Sequence, residues 1–99
     1  MRGRFVDLVE RQLELFESEH ADLLEDCRAA LDAYNAASAD EAEELYGDYV
    51  DQVDAARDAL LAYRYAYART LDDEAAEEYE GVFNHLARGR LPSLGLDPS

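Results

Sequence analysis

Apolar residues recur every three or four positions over the first third of the chain, which is the spacing of a helix that buries one face. The series is Val6, Val9, Leu13, Phe16, Leu23, Ala30 and Tyr34, with His20 and Cys27 at its two remaining positions. This alternation of three and four is the heptad pattern of helices that pack along one seam. It predicts a single helix over residues 4–35 that packs against a partner helix.

The same spacing resumes after a short break at residues 35–38. Ser38 followed by Glu41 matches a capping box, in which the two side chains satisfy amide groups at the start of a helix. A second helix is therefore expected over residues 39–70. Its seam consists of Ala42, Tyr46, Tyr49, Val53, Ala56, Leu60, Tyr63 and Tyr67. Because the connection is short, the two helices must be antiparallel.

A third helix is expected over residues 73–89, because acidic side chains at 72–74 favour the first turn of a helix. Gly89 is the expected C-cap. Pro92 prevents the helix from continuing into the apolar C-terminal tail, residues 90–99. The predicted fold is all-α and forms one domain. It is a long antiparallel hairpin plus a shorter third helix, arranged as a coiled-coil-like three-helix bundle.

The two edges of the hairpin differ. One edge has Phe5, Leu8 and Leu15 beside a strip of small residues, and small residues let a further helix approach closely, so we expect the third helix there. The strip consists of Ala55, Ala59, Ala62 and Ala66. The other edge is apolar but has no predicted cover, and such surfaces mark interaction sites. It consists of Ala21, Leu24, Leu31, Gly47, Val50 and Leu61. We expect a homodimer through this edge, which would build a larger helical bundle.

Charged residues beside the seams favour a hairpin register centred on residue 38. In this register Glu17 faces Arg57, and Glu10 faces Arg64. Each exposed ion pair contributes about 0–1 kcal/mol, so these interhelix pairs select the register more than they stabilise it.

The net charge of −15 changes the range of possible partners. It comes from 24 acidic residues against nine basic ones, all of them Arg. Such a surface repels nucleic-acid phosphate and anionic lipid, so we expect neither nucleic-acid nor membrane binding. A cationic protein partner, or mimicry of a polyanion, fits this charge. With no signal-like start, no long apolar run and a single cysteine, the chain is expected in the cytoplasm.

One pair of residues has the spacing of metal ligands. Glu17 and His20 share a helix face at i and i+3, and Glu-x-x-His recurs in di-metal carboxylate bundles. The alternative interpretation is that His20 is a polar core residue opposite Ala56. Two long antiparallel helices, the Glu17–His20 element and the tail at 91–96 together give the chain a resemblance to encapsulated ferritin-like proteins. In those proteins the element lies on the second helix, whereas here it lies on the first. This resemblance implies bound divalent metal and ferroxidase-like chemistry.

No catalytic signature occurs in the sequence, so we expect no enzyme activity and no cofactor. The favoured function is a small acidic helical interaction or scaffold protein that acts through homo-oligomerisation and partner binding. The first alternative is a ferritin-like metal-binding bundle that uses Glu17 and His20. The second is a polyanion mimic that inhibits a cationic protein.

Overall fold

The computed structural model describes residues 3–96, and every regular element in that range is helical, as the sequence predicted. The elements are α1 (Val6–Glu19), α2 (Ala21–Asn35), α3 (Ala39–Ala68), α4 (Asp73–Arg90) and a 3₁₀ turn at Pro92–Leu94. The molecule is elongated, with principal extents of 50 × 23 × 23 Å. Its long axis follows α3, which is the only element that meets every other one within the described residues.

The predicted helix starts agree with the structure. Ser38 is the N-cap of α3, although its hydroxyl donates to Oε1 of Glu41 at 3.0 Å and makes no hydrogen bond to a backbone amide. Asp72 is the N-cap of α4, and its Oδ1 accepts from the amide of Ala75 at 2.8 Å. Both helices then carry acidic residues in the first turn, where the positive end of the helix dipole stabilises them.

The first predicted helix is broken at His20, so the prediction of one uninterrupted helix over residues 4–35 is wrong. His20 has φ −118° and ψ 30°, outside the helical range. His20 still takes part in helical hydrogen bonds. Its amide donates to the Phe16 carbonyl (2.9 Å), and its carbonyl accepts from the Leu24 amide (3.0 Å). Ser18, His20 and Asp22 have lower helix propensities than the Leu and Glu residues nearby. The break lets α1 pack on both α3 and α4, while α2 follows α3.

The third predicted helix, α4, contacts Phe5 of the predicted docking edge, but on α3 it docks on the side opposite the predicted alanine strip. Its Asn84 accepts a hydrogen bond from Nη1 of Arg64 at 2.7 Å, and the following turn accepts one from Arg57. These arginines flank the seam of α3 on the side away from the alanine strip. α4 and the turn after it therefore cover part of the flank where the sequence placed interhelix ion pairs and a homodimer.

The alanine edge is left open instead. Ala55, Ala62 and Ala66 are exposed, and Leu15 is 51% exposed. Alanine side chains bury little apolar area, so a helix gains little by covering them. The arginine flank provides longer side chains and hydrogen-bond donors. This difference in side-chain size and hydrogen bonding explains why α4 docks on the arginine flank. The sequence prediction considered only that small residues let a helix approach closely.

The core lies where α1, α3 and α4 meet. The side chains with no exposed surface are Val9, Phe16, Ala56, Leu60, Tyr79, Phe83, Ala87 and Leu94. Tyr79 packs its ring against Phe5 and Tyr67, at centroid distances of 5.6 and 4.8 Å. An ion pair between Arg90 and Glu17 (2.7 Å) joins the C-terminal ends of α4 and α1, which run in the same direction.

The C-terminal tail closes this core. α4 continues through Gly89 to Arg90, so the prediction of Gly89 as C-cap is wrong, and the helix ends before Pro92 as predicted. Leu94 is completely buried, and its carbonyl accepts a hydrogen bond from Nε of Arg57 at 2.7 Å. Gly95 then adopts φ 64°, which lets the chain turn away. Residues 97–99 of the predicted tail lie outside the described residues.

Candidate protein interaction surface

The outer part of the α2–α3 hairpin, residues 21–56, extends past α4, and we call it the hairpin tip. Within the described chain, α2 packs against α3 and α1, and no part of its backbone comes close to α4. The tip contains eleven of the 24 acidic residues and a single basic residue, Arg28. The rest of the chain contains thirteen acidic and eight basic residues. Most of the net charge of −15 is therefore concentrated on a two-helix projection.

An apolar groove of about 270 Å³ runs along one side of the tip, and we call it the tip groove. From α2 it is lined by Leu24, Cys27, Arg28 and Leu31, and from α3 by Tyr49 and Val53. Leu91 and Ser93, from the segment after α4, close one end. The groove thus begins where α4 stops.

Tyrosine rings form a cluster between the groove and the α2–α3 turn. The Tyr46 ring lies 5.4 Å from that of Tyr34 and 6.4 Å from that of Tyr49, measured between centroids. Tyr46 is 52% exposed, which is unusual for an aromatic ring at a predicted seam position. The three rings give the outer end of the tip an accessible aromatic surface.

Carboxylates border the tip groove. Arg28, which lines it, contacts Glu25 at 2.5 Å and Asp32 at 3.9 Å, so both acids lie on the α2 rim. At the inner end, Asp54 accepts a hydrogen bond from Nη1 of Arg57 at 2.9 Å. Glu43 lies on the same stripe of α3 as Asp54, three turns earlier. The groove therefore combines an apolar floor with a mainly acidic rim.

Two of the six residues predicted to form the dimer interface lie in the tip groove. These are Leu24 and Leu31, whereas Ala21 and Gly47 are exposed residues outside its lining. Leu24, Leu31, Val50 and Leu61 are all partly buried. Leu24 and Leu31 share the groove with Leu91 and Ser93 of the C-terminal segment, and the dimer interface as a whole stays a prediction.

A second and more polar depression lies on the opposite side of the tip. It is lined by Asp26, Asp48 and Asp51 together with Gln52 and two alanines of α2. Nothing apolar larger than alanine lies in its walls. It adds to the negative potential of the tip without adding a surface that could hold an apolar side chain.

Glu17 and His20, the predicted metal pair, each make contacts of their own. Glu17 binds Arg90, while the His20 ring packs against the rings of Phe16 (5.1 Å) and Tyr63 (6.0 Å). Among residues 3–96, no group of three or more His, Cys, Asp or Glu side chains is arranged to hold a metal ion. His20 therefore serves as a packing residue at the break between α1 and α2.

Of the two predicted interhelix ion pairs, the structure does not bring Glu17 to Arg57. The Arg57 guanidinium contacts Asp54 and the Leu94 carbonyl, and Glu17 contacts Arg90, because the docking of α4 and the tail changes the neighbours of both residues. Arg64 donates to Asn84. Its pairing with Glu10 stays a prediction.

Three titratable groups in the packing of the bundle have raised pKa values. Burial, followed by the negative charge of Asp26, raises the pKa of the Cys27 thiol, which donates to the Gln52 carbonyl at 3.3 Å. Burial also raises the pKa of Tyr79 to about 12. Burial and a hydrogen bond to Glu19 raise the pKa of Tyr63 to about 12. None of these groups is poised to act as an acid, base or nucleophile near neutral pH.

Comparisons with protein-family models, curated proteins and solved structures found no match to this chain. In the part of the chain that the structure describes, no helix is long and apolar enough to cross a membrane. Inferences about function therefore depend on the geometry and charge of the chain itself.

Sequence reasoning identified Leu24 and Leu31 but missed the contribution of the C-terminal segment to the same surface. Leu91 and Leu94 follow α4 at i and i+3 around Pro92, a spacing that a 3₁₀ turn places on one side. Leu94 enters the core and Leu91 borders the groove. The i and i+3 spacing of Leu91 and Leu94 was therefore the signal in the sequence that could have predicted that this segment folds back on the hairpin.

Proposed function

We propose that this chain is a small acidic interaction protein that binds a cationic region of another protein through the hairpin tip. The proposal is supported by one observation above the others: the tip has eleven acidic residues and one basic residue, and its helix α2 makes no contact with α4 in the described chain. Charge concentrated on one projection steers a cationic partner towards that projection and orients it there. The three-helix part provides the stable base.

A charge-matched pair of variants tests this proposal. The tip variant combines Glu43→Gln, Glu44→Gln and Asp48→Asn, all exposed residues of the tip. The control variant combines Glu14→Gln, Asp58→Asn and Glu77→Gln, which are exposed residues outside the tip. Each variant changes the net charge equally, so any difference between them reports where the charge acts.

The measured quantity is the affinity for an arginine-rich peptide at about 0.1 M salt, where screening extends over about 10 Å. We expect the tip variant to bind several-fold more weakly than the control variant, because its lost charges belong to the hairpin tip, to which the proposal assigns the partner. Equal affinities for the two variants, or no binding by the unaltered protein, would refute the proposal.

Homodimerisation through the same edge remains a prediction, and its salt dependence separates it from binding of a cationic partner. Two copies meeting at their tips would bring two strongly acidic surfaces together, so added salt should favour that dimer. Added salt should instead weaken the complex with a cationic partner. Sedimentation velocity of the unaltered protein at low and high salt distinguishes the two, and a monomer at both would remove the dimer.

A further inference from the structure

The tip groove continues the path that α4 occupies on the bundle. α4 lies along the flank of α3 that includes Arg64, and the turn that ends it is held by Arg57. Beyond Leu91 the same side of the hairpin presents the groove, with α2 as its second wall. A helix placed there would lie end to end with α4 and would complete a three-helix cross-section along the tip.

The dimensions of the groove set the size of such a helix. Its α2 wall and the tyrosine cluster together extend from Leu24 to Tyr34. At 1.5 Å per helical residue this is roughly 15 Å, which corresponds to about three turns of a facing helix. The leucines at 24 and 31 are two turns apart, so they match apolar residues at i and i+7 on the incoming helix.

The chemistry of the groove sets the composition of the helix. Leu31 and Val53 provide an apolar floor, and Glu25, Asp32 and Asp54 provide carboxylates at the rim. A helix with one apolar stripe flanked by Arg or Lys would satisfy both. At the outer end, the exposed Tyr46 ring offers a face for a cationic side chain. A second copy of this chain would instead bring its own acidic rim against this one.

We infer that the tip groove binds a basic amphipathic α-helix of a partner protein, about three turns long, in line with α4. This inference rests on the proposed function and specifies the shape and chemistry of the cationic partner. The mode of binding is that of a helix in a groove, in which the apolar stripe gives affinity and the flanking charges give orientation. Specificity then depends on the order of residues in the partner as well as on its charge.

Two peptides of identical composition test this inference. The first is a helical peptide of about 14 residues, or roughly four turns, with Leu at i, i+4, i+7 and i+11 and with Lys or Arg beside them. The second has the same residues in an order that scatters the leucines around the helix. Binding to the full chain is measured by calorimetry. We expect the amphipathic peptide to bind at least about tenfold more tightly, because only it presents a continuous apolar stripe to the groove.

A matched pair of substitutions locates the binding. Leu31→Ala removes an apolar side chain from the groove, whereas Leu15→Ala removes one from an exposed position of α1 outside it. We expect Leu31→Ala to weaken the amphipathic peptide about five- to tenfold, the usual size for truncation of an interface contact, and Leu15→Ala to leave the affinity unchanged. Circular dichroism checks that both variants keep their helical content.

The outcomes separate this inference from the proposed function. If both peptides bind equally and Leu31→Ala has no effect, while binding still weakens with salt, the tip attracts cations without recognising a helix and the inference is wrong. If neither peptide binds, the proposed function fails as well. If Leu15→Ala weakens binding as much as Leu31→Ala, the helix binds elsewhere and the assignment of the groove is wrong.

Discussion

Leu94 provides a direct test of the packing that shapes the candidate surface. Among the described residues after α4, at positions 91–96, it is the one completely buried side chain, and it fills the core from a segment of only a few residues. The substitution Leu94→Ala removes three carbon atoms from this position. The backbone carbonyl that accepts from Arg57 is retained, so the change measures the packing of the side chain.

Substitutions of buried leucine by alanine cost about 2–5 kcal/mol, from lost burial and from the cavity left behind. We expect a value near the lower end, about 2–3 kcal/mol, because a segment close to the chain end can partly collapse into the space. For a domain of this size, that corresponds to a fall in Tm of roughly 10–20 °C. Since small domains have about 5–15 kcal/mol of stability, the variant should still fold.

Urea unfolding followed by circular dichroism measures the free energy of unfolding of Leu94→Ala and of Leu15→Ala. Leu15 is 51% exposed on α1, so its substitution should change the free energy of unfolding by less than about 0.5 kcal/mol. The reasoning would be refuted if Leu94→Ala were as stable as Leu15→Ala. In that case the tail would not close the core, and Leu91 would not be held at the end of the tip groove.

Two further predictions concern groups in the three-helix part. Burial raises the pKa of Tyr79 to about 12, above the ordinary value of about 10, because it disfavours the charged phenolate. The stability that this side chain contributes is therefore complete below about pH 10 and is lost between pH 10 and 12. Urea titrations at about pH 9 and 11.5 measure how much the free energy of unfolding falls between these pH values. This fall should be about 2 kcal/mol larger in the unaltered protein than in Tyr79→Phe, and equal falls would contradict the raised pKa of Tyr79. The Glu17 side chain of the Glu17–Arg90 ion pair is 34% exposed, and that of Arg90 is 40% exposed, so solvent and salt still reach the pair. A double-mutant cycle with Glu17→Gln and Arg90→Gln should therefore give a coupling of about 0.3–1 kcal/mol that disappears in high salt. A coupling that persists in high salt, or none at low salt, would contradict the packing of α1 beside the end of α4.

Local sequence signals predicted the starts of α3 and α4, because those depend on a few neighbouring residues. Ser38 of the predicted capping box is the N-cap of α3, Asp72 of the predicted acidic start signal is the N-cap of α4, and α4 ends before Pro92. The seam positions Val9, Leu13 and Phe16 are buried as their spacing required. These features are set by periodicity and by backbone chemistry within one or two helical turns.

The arrangement of the helices could not be read in the same way, because it depends on competition between surfaces. The alanine strip and the arginine flank were both available to α4, and small size alone did not decide between them. Because the sequence did not show on which side α4 docks, Glu17 was predicted to pair with Arg57. In the structure Glu17 contacts Arg90 of α4, and Arg57 contacts the Leu94 carbonyl of the tail. His20 fits the seam by spacing, and only the packed structure places a break there.

The candidate surface was predicted only in part, because it also depends on how the helices are arranged. Leu24 and Leu31 were identified by their apolar character on an edge without cover, and they line the tip groove. The boundary of that groove depends on where α4 stops and on how Leu91 folds back. The concentration of acids on residues 21–56 was present in the sequence, but it defines a surface only once α4 is known to leave that part uncovered.

The most direct test of the central claim is a titration of the ¹⁵N-labelled full chain with the amphipathic peptide, followed by amide chemical shifts. The account predicts that the largest shifts fall along the groove, at Leu24, Leu31, Tyr49 and Val53, and extend to Tyr46. Amides of the core facing α1, such as that of Leu60, should change little. Largest shifts on α4 or at the exposed alanine Ala62, or no shifts at millimolar peptide, would contradict the claim that the hairpin tip is the surface through which this protein binds its partner.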